Sequence, residues 1–224
     1  MLRMKRLVIV QNDPTVTSGS IKSKQYEKVI YKAWDNPWDS INDDDNVIVL
    51  GGHMGAYDTD KFPYLLNEKK WLKDFVFNNN NLLGICLGSQ MLADSIGGKA
   101  YLAKEVEFGI KRLKFSSDND LINQFNNQDV FMWHRDSFTL PKEISIIAST
   151  DYPQIFKYKS SIGIQFHPEV TIELFDNWIN SPGAIDELEL YNYDVQQVRF
   201  RLSELESTFS NVVNSFIERW LEVY

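Results

Sequence analysis

The stretch NLLGICLGSQ, residues 81–90, decides the fold. An apolar run meets Gly84, then Cys86, then Gly88, and a helix-compatible segment, SQMLADSI (89–96), follows and stops at Gly97 and Gly98. A short apolar run that ends in a glycine-rich turn and restarts as a helix is one unit of a parallel sheet. Two further runs share the pattern: RLVIV (6–10) ends in QNDPTVTSGS, and NVIVL (46–50) ends in GGHMG. Between the second and third runs, FPYLLNEKKWLKDFVF (62–77) places Leu65, Leu66, Trp71, Leu72, Phe75 and Val76 at helical spacing. Alternating strands and helices predict an α/β fold with three layers: a mostly parallel central sheet with helices on both faces.

From 99 to 166 the runs are closer and more alternating, as in DVFMWH, ISIIAST and QIFKYK, so a small region of added mixed or antiparallel strands is expected there. TIELFDNWIN (171–180) reads as a helix. The C-terminal helical segment, about 185–224, carries Val195, Val198, Leu202, Leu205, Phe209, Val212, Phe216 and Trp220 at 3–4 spacing, with a break expected near Ser207. That stripe is expected to pack on the sheet of its own chain, with an oligomer contact as the alternative. The 224 residues suit a single domain, 1–224.

The chain is 43% hydrophobic and 24% charged, with net charge −8. This is a globular composition. The acidic balance disfavours nucleic acid and anionic membranes as partners, since both call for a basic face. A lone cysteine makes no internal disulfide. The N-terminus has too short an apolar stretch for a secretory signal, and no run approaches a membrane span, so a cytoplasmic location is expected. No metal-ligand cluster or cofactor motif stands out, and the acidic run at 43–45 reads as a solvated loop.

Ligands of open parallel sheets sit beyond the carboxyl ends of the strands. Cys86 occupies such an end, on a tight turn bracketed by glycines, with a helix start that favours negative charge. A thiol nucleophile needs a base and a group to orient it. Of the three histidines, His53, His134 and His167, only His167 has a carboxylate within two residues, in GIQFHPEV. Pro168 stops that strand, and Glu169 can turn back toward the imidazole. Cysteine, histidine and glutamate form the acyl-transfer triad in its cysteine variant.

These segments resemble the class I glutamine amidotransferases, the triad glutaminases. GICLGSQ is similar to the family's G-x-C-x-G-x-Q elbow, GIQFHPE to its Q-F-H-P-E segment, and VIVLGGHMG to its oxyanion strand and loop. EFGIKRLKFSSDNDLI and MWHRDSFTLP resemble parts of the glutaminase domain of GMP synthase and of small free-standing relatives. The resemblance implies a flavodoxin-like fold and hydrolysis of the glutamine side-chain amide through a Cys86 thioester, with His167 as base and Glu169 orienting it. It implies oxyanion donors at the Gly52 and Leu87 N–H groups. It also implies substrate contacts at Gln90 and, in the MWHRD segment, at His134 and Asp136. The alternatives are a γ-glutamyl peptidase acting on glutathione-like compounds, or a non-catalytic regulatory protein on the same fold.

Two positions depart from the family pattern. His53 stands where many relatives have proline, and Arg135 where close relatives have glycine. His53 is read as a loop residue, with a rival base or a substrate contact as alternatives. No carboxylate obviously orients it; Asp58 and Asp60 would need the loop to fold back. Arg135 either binds a substrate carboxylate or reaches solvent. No phosphate loop and no S-G-G-x-D nucleotide loop is present, so this chain alone is not expected to use ATP. Any use of the ammonia then calls for a separate synthase subunit.

Overall fold

The computed structural model describes residues 5–35 and 37–223. Residues 1–4, on which the absence of a leader is in part argued, lie outside them. In chain order the elements are β1 (Arg6–Gln11), β2 (Glu27–Lys32), β3 (Asn46–Val49), α1 (Tyr64–Phe77), β4 (Leu82–Ile85), α2 (Leu87–Ser95), β5 (Lys99–Arg112), β6 (Lys114–Phe115), β7 (Asp129–Thr139), β8 (Ile146–Ser149), β9 (Pro153–Tyr158), β10 (Ser161–Ile164), α3 (Ile172–Ile179), α4 (Ala184–Leu190) and α5 (Val195–Val223).

The main sheet runs β2-β1-β3-β4-β10-β9-β8-β6. Its first five strands are parallel, and β9, β8 and β6 extend it antiparallel. β5 and β7 pair antiparallel as a separate ribbon. The expected α/β architecture and the expected antiparallel addition are both present, and the addition occupies two places: the sheet edge and the ribbon.

The strands read as unbroken apolar runs because both faces are covered. Leu7 and Ile9 of β1 join a core with Phe131, Phe175, Phe216 and Trp220, on the side of α3 and α5. Val8 and Val10 join the opposite core with Leu72 and Phe75 of α1 and Met91 and Leu92 of α2. The sheet is thus the middle layer of three.

Two expectations are corrected, and one strand had no counterpart in the sequence patterns. The helical tail shows no break at Ser207. α5 is continuous over 29 residues, since an exposed serine costs a helix only a few tenths of a kcal/mol, while Leu202, Phe209, Phe216 and Trp220 on either side are buried in this chain's own core. The acidic run is not wholly solvated: Asp45 is buried, pairs with Arg6 and accepts from the Asn42 N–H at 2.8 Å. β2 was not anticipated. It is an edge strand whose side chains are mostly exposed, so it lacks the apolar signal of its neighbours. Among the described residues no helix is long and apolar enough to cross a membrane.

Candidate active site

Cys86 sits between β4 and α2, with φ 51° and ψ −110°. A positive φ on a non-glycine residue is strained, at about 1–3 kcal/mol, and persists only when its surroundings hold it. The surroundings are specific. The Cys86 N–H donates to Ile164 O at 2.8 Å, and its carbonyl accepts from the Ser89 and Gln90 N–H groups. A Cβ at Gly84 would collide with the Gly88 backbone, and one at Gly88 with the Val49 carbonyl. The two glycines that bracket the cysteine therefore let the elbow press against β3. α2 begins at Leu87, two residues earlier than the sequence predicts. The Leu87 N–H is consequently a first-turn donor with no intrahelical acceptor.

His167 follows β10, and its main-chain N–H is held by Phe131 O at 2.9 Å. Its Nδ1 lies 2.8 Å from Glu169 Oε1, and its ring lies beside Cys86. Burial by itself would lower the His167 pKa, but the charges of Glu169 and Cys86 outweigh it and hold the pKa well above its ordinary value. Trp178 packs on the imidazole with ring centres 4.9 Å apart, and its indole N–H donates to Thr15 O at 3.1 Å. Glu169 is fully buried, and its carbonyl accepts from the Ser20 N–H at 2.9 Å.

Gly51 lies against this pair: a Cβ there would be 3.1 Å from His167 Cε1 and 3.3 Å from Cys86 Cβ. The β3 loop thereby sets Gly51 beside the sulfur, and Gly52, next along, lies against Leu87 and lines the same cavity. Among the described residues the Gly52 N–H meets no acceptor.

Cys86 and His167, with Glu169 buried behind the imidazole, open into a cavity of about 670 Å³ that Gly52, Leu87, Gln90, His134 and Asp136 also line. All eight sequence-predicted residues therefore meet at one site. Gln90 Nε2 donates to Asp136 O at 3.3 Å and to Gln165 Oε1 at 3.1 Å. Asp136 accepts from the Tyr57 hydroxyl at 2.8 Å, and burial raises its pKa. His134 is occupied on both nitrogens. Nδ1 lies 3.0 Å from Asp136 O and Nε2 3.1 Å from Glu107 Oε2. Burial would raise the Glu107 pKa, but hydrogen bonds from His134, Lys111 and Thr150 hold it down to about 2.

The expectation that no carboxylate orients His53 is also corrected. Asp13, from the loop after β1, meets its Nδ1, and the same carboxylate accepts from the His53 N–H at 3.3 Å. Asp58 instead accepts from the Gly55 N–H. Arg135 does not simply extend into solvent: Nη1 is 3.7 Å from Glu187 of α4, across the cavity rim. Asp13, Tyr57 and Trp178 escaped the sequence reading. Asp13 had a usable signal, its place in the turn at the carboxyl end of a parallel strand.

The model of the class I glutamine amidotransferase family matches residues 19–182. A GMP synthase (glutamine-hydrolysing) from Wigglesworthia glossinidia brevipalpis is 39% identical over 140 residues, which is 56% of this chain and 26% of that one. The enzyme of the same description from Yersinia enterocolitica is 30% identical over 158 residues, 62% of this chain and 28% of that one. The chain thus matches about a quarter of the length of these relatives. A glutamine amidotransferase of known structure from Thermotoga maritima superposes with a TM-score of 0.85 at 28% identity, covering 98% of this chain and 99% of that one. One from Methylobacillus flagellatus, at 19% identity and a TM-score of 0.82, shares the fold. With the elbow and the flanking loops in place, the chain belongs to the class I glutamine amidotransferase family.

Proposed function

We propose that this chain, acting as one catalytic unit, hydrolyses the side-chain amide of glutamine to glutamate and ammonia through a thioester on Cys86. The observation that carries the reading is the contact of a strained elbow cysteine with a buried imidazole that has Glu169 behind it at 2.8 Å.

His167 takes the Cys86 proton as sulfur attacks the amide carbon. The C–S bond forms and the carbonyl electrons move onto oxygen. The Gly52 and Leu87 N–H groups stabilise that oxyanion, and losing one such donor costs about 10²–10³ in turnover. His167 then gives its proton to the departing nitrogen, the C–N bond breaks and ammonia leaves. Water attacks the thioester, its proton passes to His167, and sulfur departs to release glutamate. Glu169 keeps the imidazole oriented and stabilises its charged form. Gln90 and Asp136 bind the amino-acid end of the substrate. His134, with both nitrogens engaged inside the protein, contributes by fixing the Asp136 main chain. A separate synthase subunit receives the ammonia, a role suggested by the GMP synthases among the relatives.

A second reading is hydrolysis of γ-glutamyl compounds related to glutathione. The cavity of about 670 Å³ favours it, because pockets of about 300–1,000 Å³ accommodate ligands larger than one amino acid. Glutamate release from glutamine and from a panel of γ-glutamyl dipeptides, with and without candidate synthases, separates the two. Glutamine turnover that stays far below that of the dipeptides under every condition rejects the first reading.

A further inference from the structure

The loop that carries the proposed oxyanion donor is built on two glycines, Gly51 and Gly52, which offer little resistance to a peptide flip. A flip would reverse the direction of the Gly52 N–H. Two neighbouring side chains from the loop after β1 tie the glycines from both sides. On the near side, Asn12 Nδ2 donates to Leu50 O at 3.4 Å and to the fully buried Glu68 at 3.2 Å. On the far side, one oxygen of Asp13 accepts from the His53 N–H at 3.3 Å and meets the His53 ring nitrogen. The other oxygen accepts from the Thr15 N–H at 2.8 Å and the Thr15 hydroxyl at 2.7 Å.

The asymmetry of this pair is informative. The His53 side chain is 65% exposed and that of Asp13 only 5%. The imidazole meets the Phe62 ring edge-on, with centres 5.3 Å apart, and is otherwise largely open to solvent, whereas the carboxylate is fixed by Thr15 and buried in the cavity wall. Burial would raise the Asp13 pKa, but hydrogen bonds from His53 and Thr15 bring it below its ordinary value, so the group is a charged acceptor at neutral pH.

We propose that Asp13 is a positioning residue: by holding the main chain and ring of His53, it keeps the Gly51–Gly52 peptide turned so that the Gly52 N–H faces the developing oxyanion. This inference rests on the proposed amide hydrolysis and on Gly52 as a donor. Proline at 53 would restrain the same loop covalently, with no N–H left to satisfy.

The test uses the full chain. Asp13→Ala is expected to lower kcat by about tenfold to a hundredfold, part of the loss of a whole oxyanion donor. KM stays within about threefold, because the restraint acts on the transition state. Asp13→Asn falls between this variant and wild type. In the His53→Pro background, adding Asp13→Ala costs less than about twofold, since the two changes address one restraint. Hydrogen exchange of segment 50–54 rises in Asp13→Ala while the rest of the chain keeps its protection. An unchanged kcat with unchanged exchange overturns the proposal, as does a full Asp13→Ala penalty in the His53→Pro background. A wild-type chain that hydrolyses no amide defeats the proposed function separately. The exchange measurement then decides the loop restraint alone, and unchanged protection at 50–54 overturns it.

Discussion

Three imidazoles line the Cys86 cavity, each with a carboxylate beside it, and two of them, His167 and His53, have opposite settings. The His167 and Glu169 side chains are 6% and 0% exposed, under Trp178 and against sulfur. His53 projects from the rim, 65% exposed, and only its carboxylate is buried. Electrostatic interaction strengthens as water is excluded, so the inner pair suits the proposed work of holding charge where bonds change, and the outer pair the proposed loop restraint. A histidine–carboxylate pair therefore does not by itself identify a catalytic base; burial and contact with the nucleophile do.

The largest expected effect separates the two imidazoles. His167→Ala should cost at least about 10³ in kcat, since a triad nucleophile without its base loses most of its rate. His53→Ala should cost less than about tenfold, because the Gly52 donor survives with a looser loop. Steady-state kinetics on both variants decides the assignment, and equal losses would erase the distinction between them.

Next comes the carboxylate behind each ring. Glu169→Gln should lower kcat by about 10²–10⁴, as expected when a triad acid no longer holds the charged imidazole. It also has a pH signature. The His167 pKa is raised in the fold, so its stabilising contribution is complete below the unfolded value of about 6.5 and is lost as pH climbs through the raised value. The difference in unfolding midpoint between wild type and Glu169→Gln should therefore narrow as pH increases above about 6.5. A difference that is constant or widens over that range contradicts the pairing.

The smallest expected effect lies farther from the sulfur. Tyr57→Phe removes the hydroxyl that donates to Asp136 at 2.8 Å. KM should rise by a few-fold with kcat nearly unchanged, the pattern of lost uniform binding. A fall in kcat without a change in KM would move Asp136 from substrate binding into the chemistry.

The same contrast explains what was legible in the sequence. His167 and Glu169 are two residues apart in one segment, so their pairing could be read directly. Asp13 and His53 are forty residues apart, on loops brought together only by the parallel pairing of β1 with β3. Asp45 escaped for the same reason, its partner Arg6 lying on β1. Strands β1, β3 and β4 were legible because they are buried on both faces, while β2 at the sheet edge exposes most of its side chains. The continuity of α5 through Ser207 was set by the sheet beneath it, which intrinsic propensity does not report.

Every role proposed above depends on Cys86 being a nucleophile activated by His167 at a glutamine site. A glutamine analogue with a γ-diazoketone, incubated with the folded chain and followed by peptide mass spectrometry, tests it most directly. One adduct is expected, on the peptide that contains Cys86, suppressed by excess glutamine and strongly slowed in His167→Ala. A folded chain left unmodified, or modified elsewhere at equal rate, would contradict it.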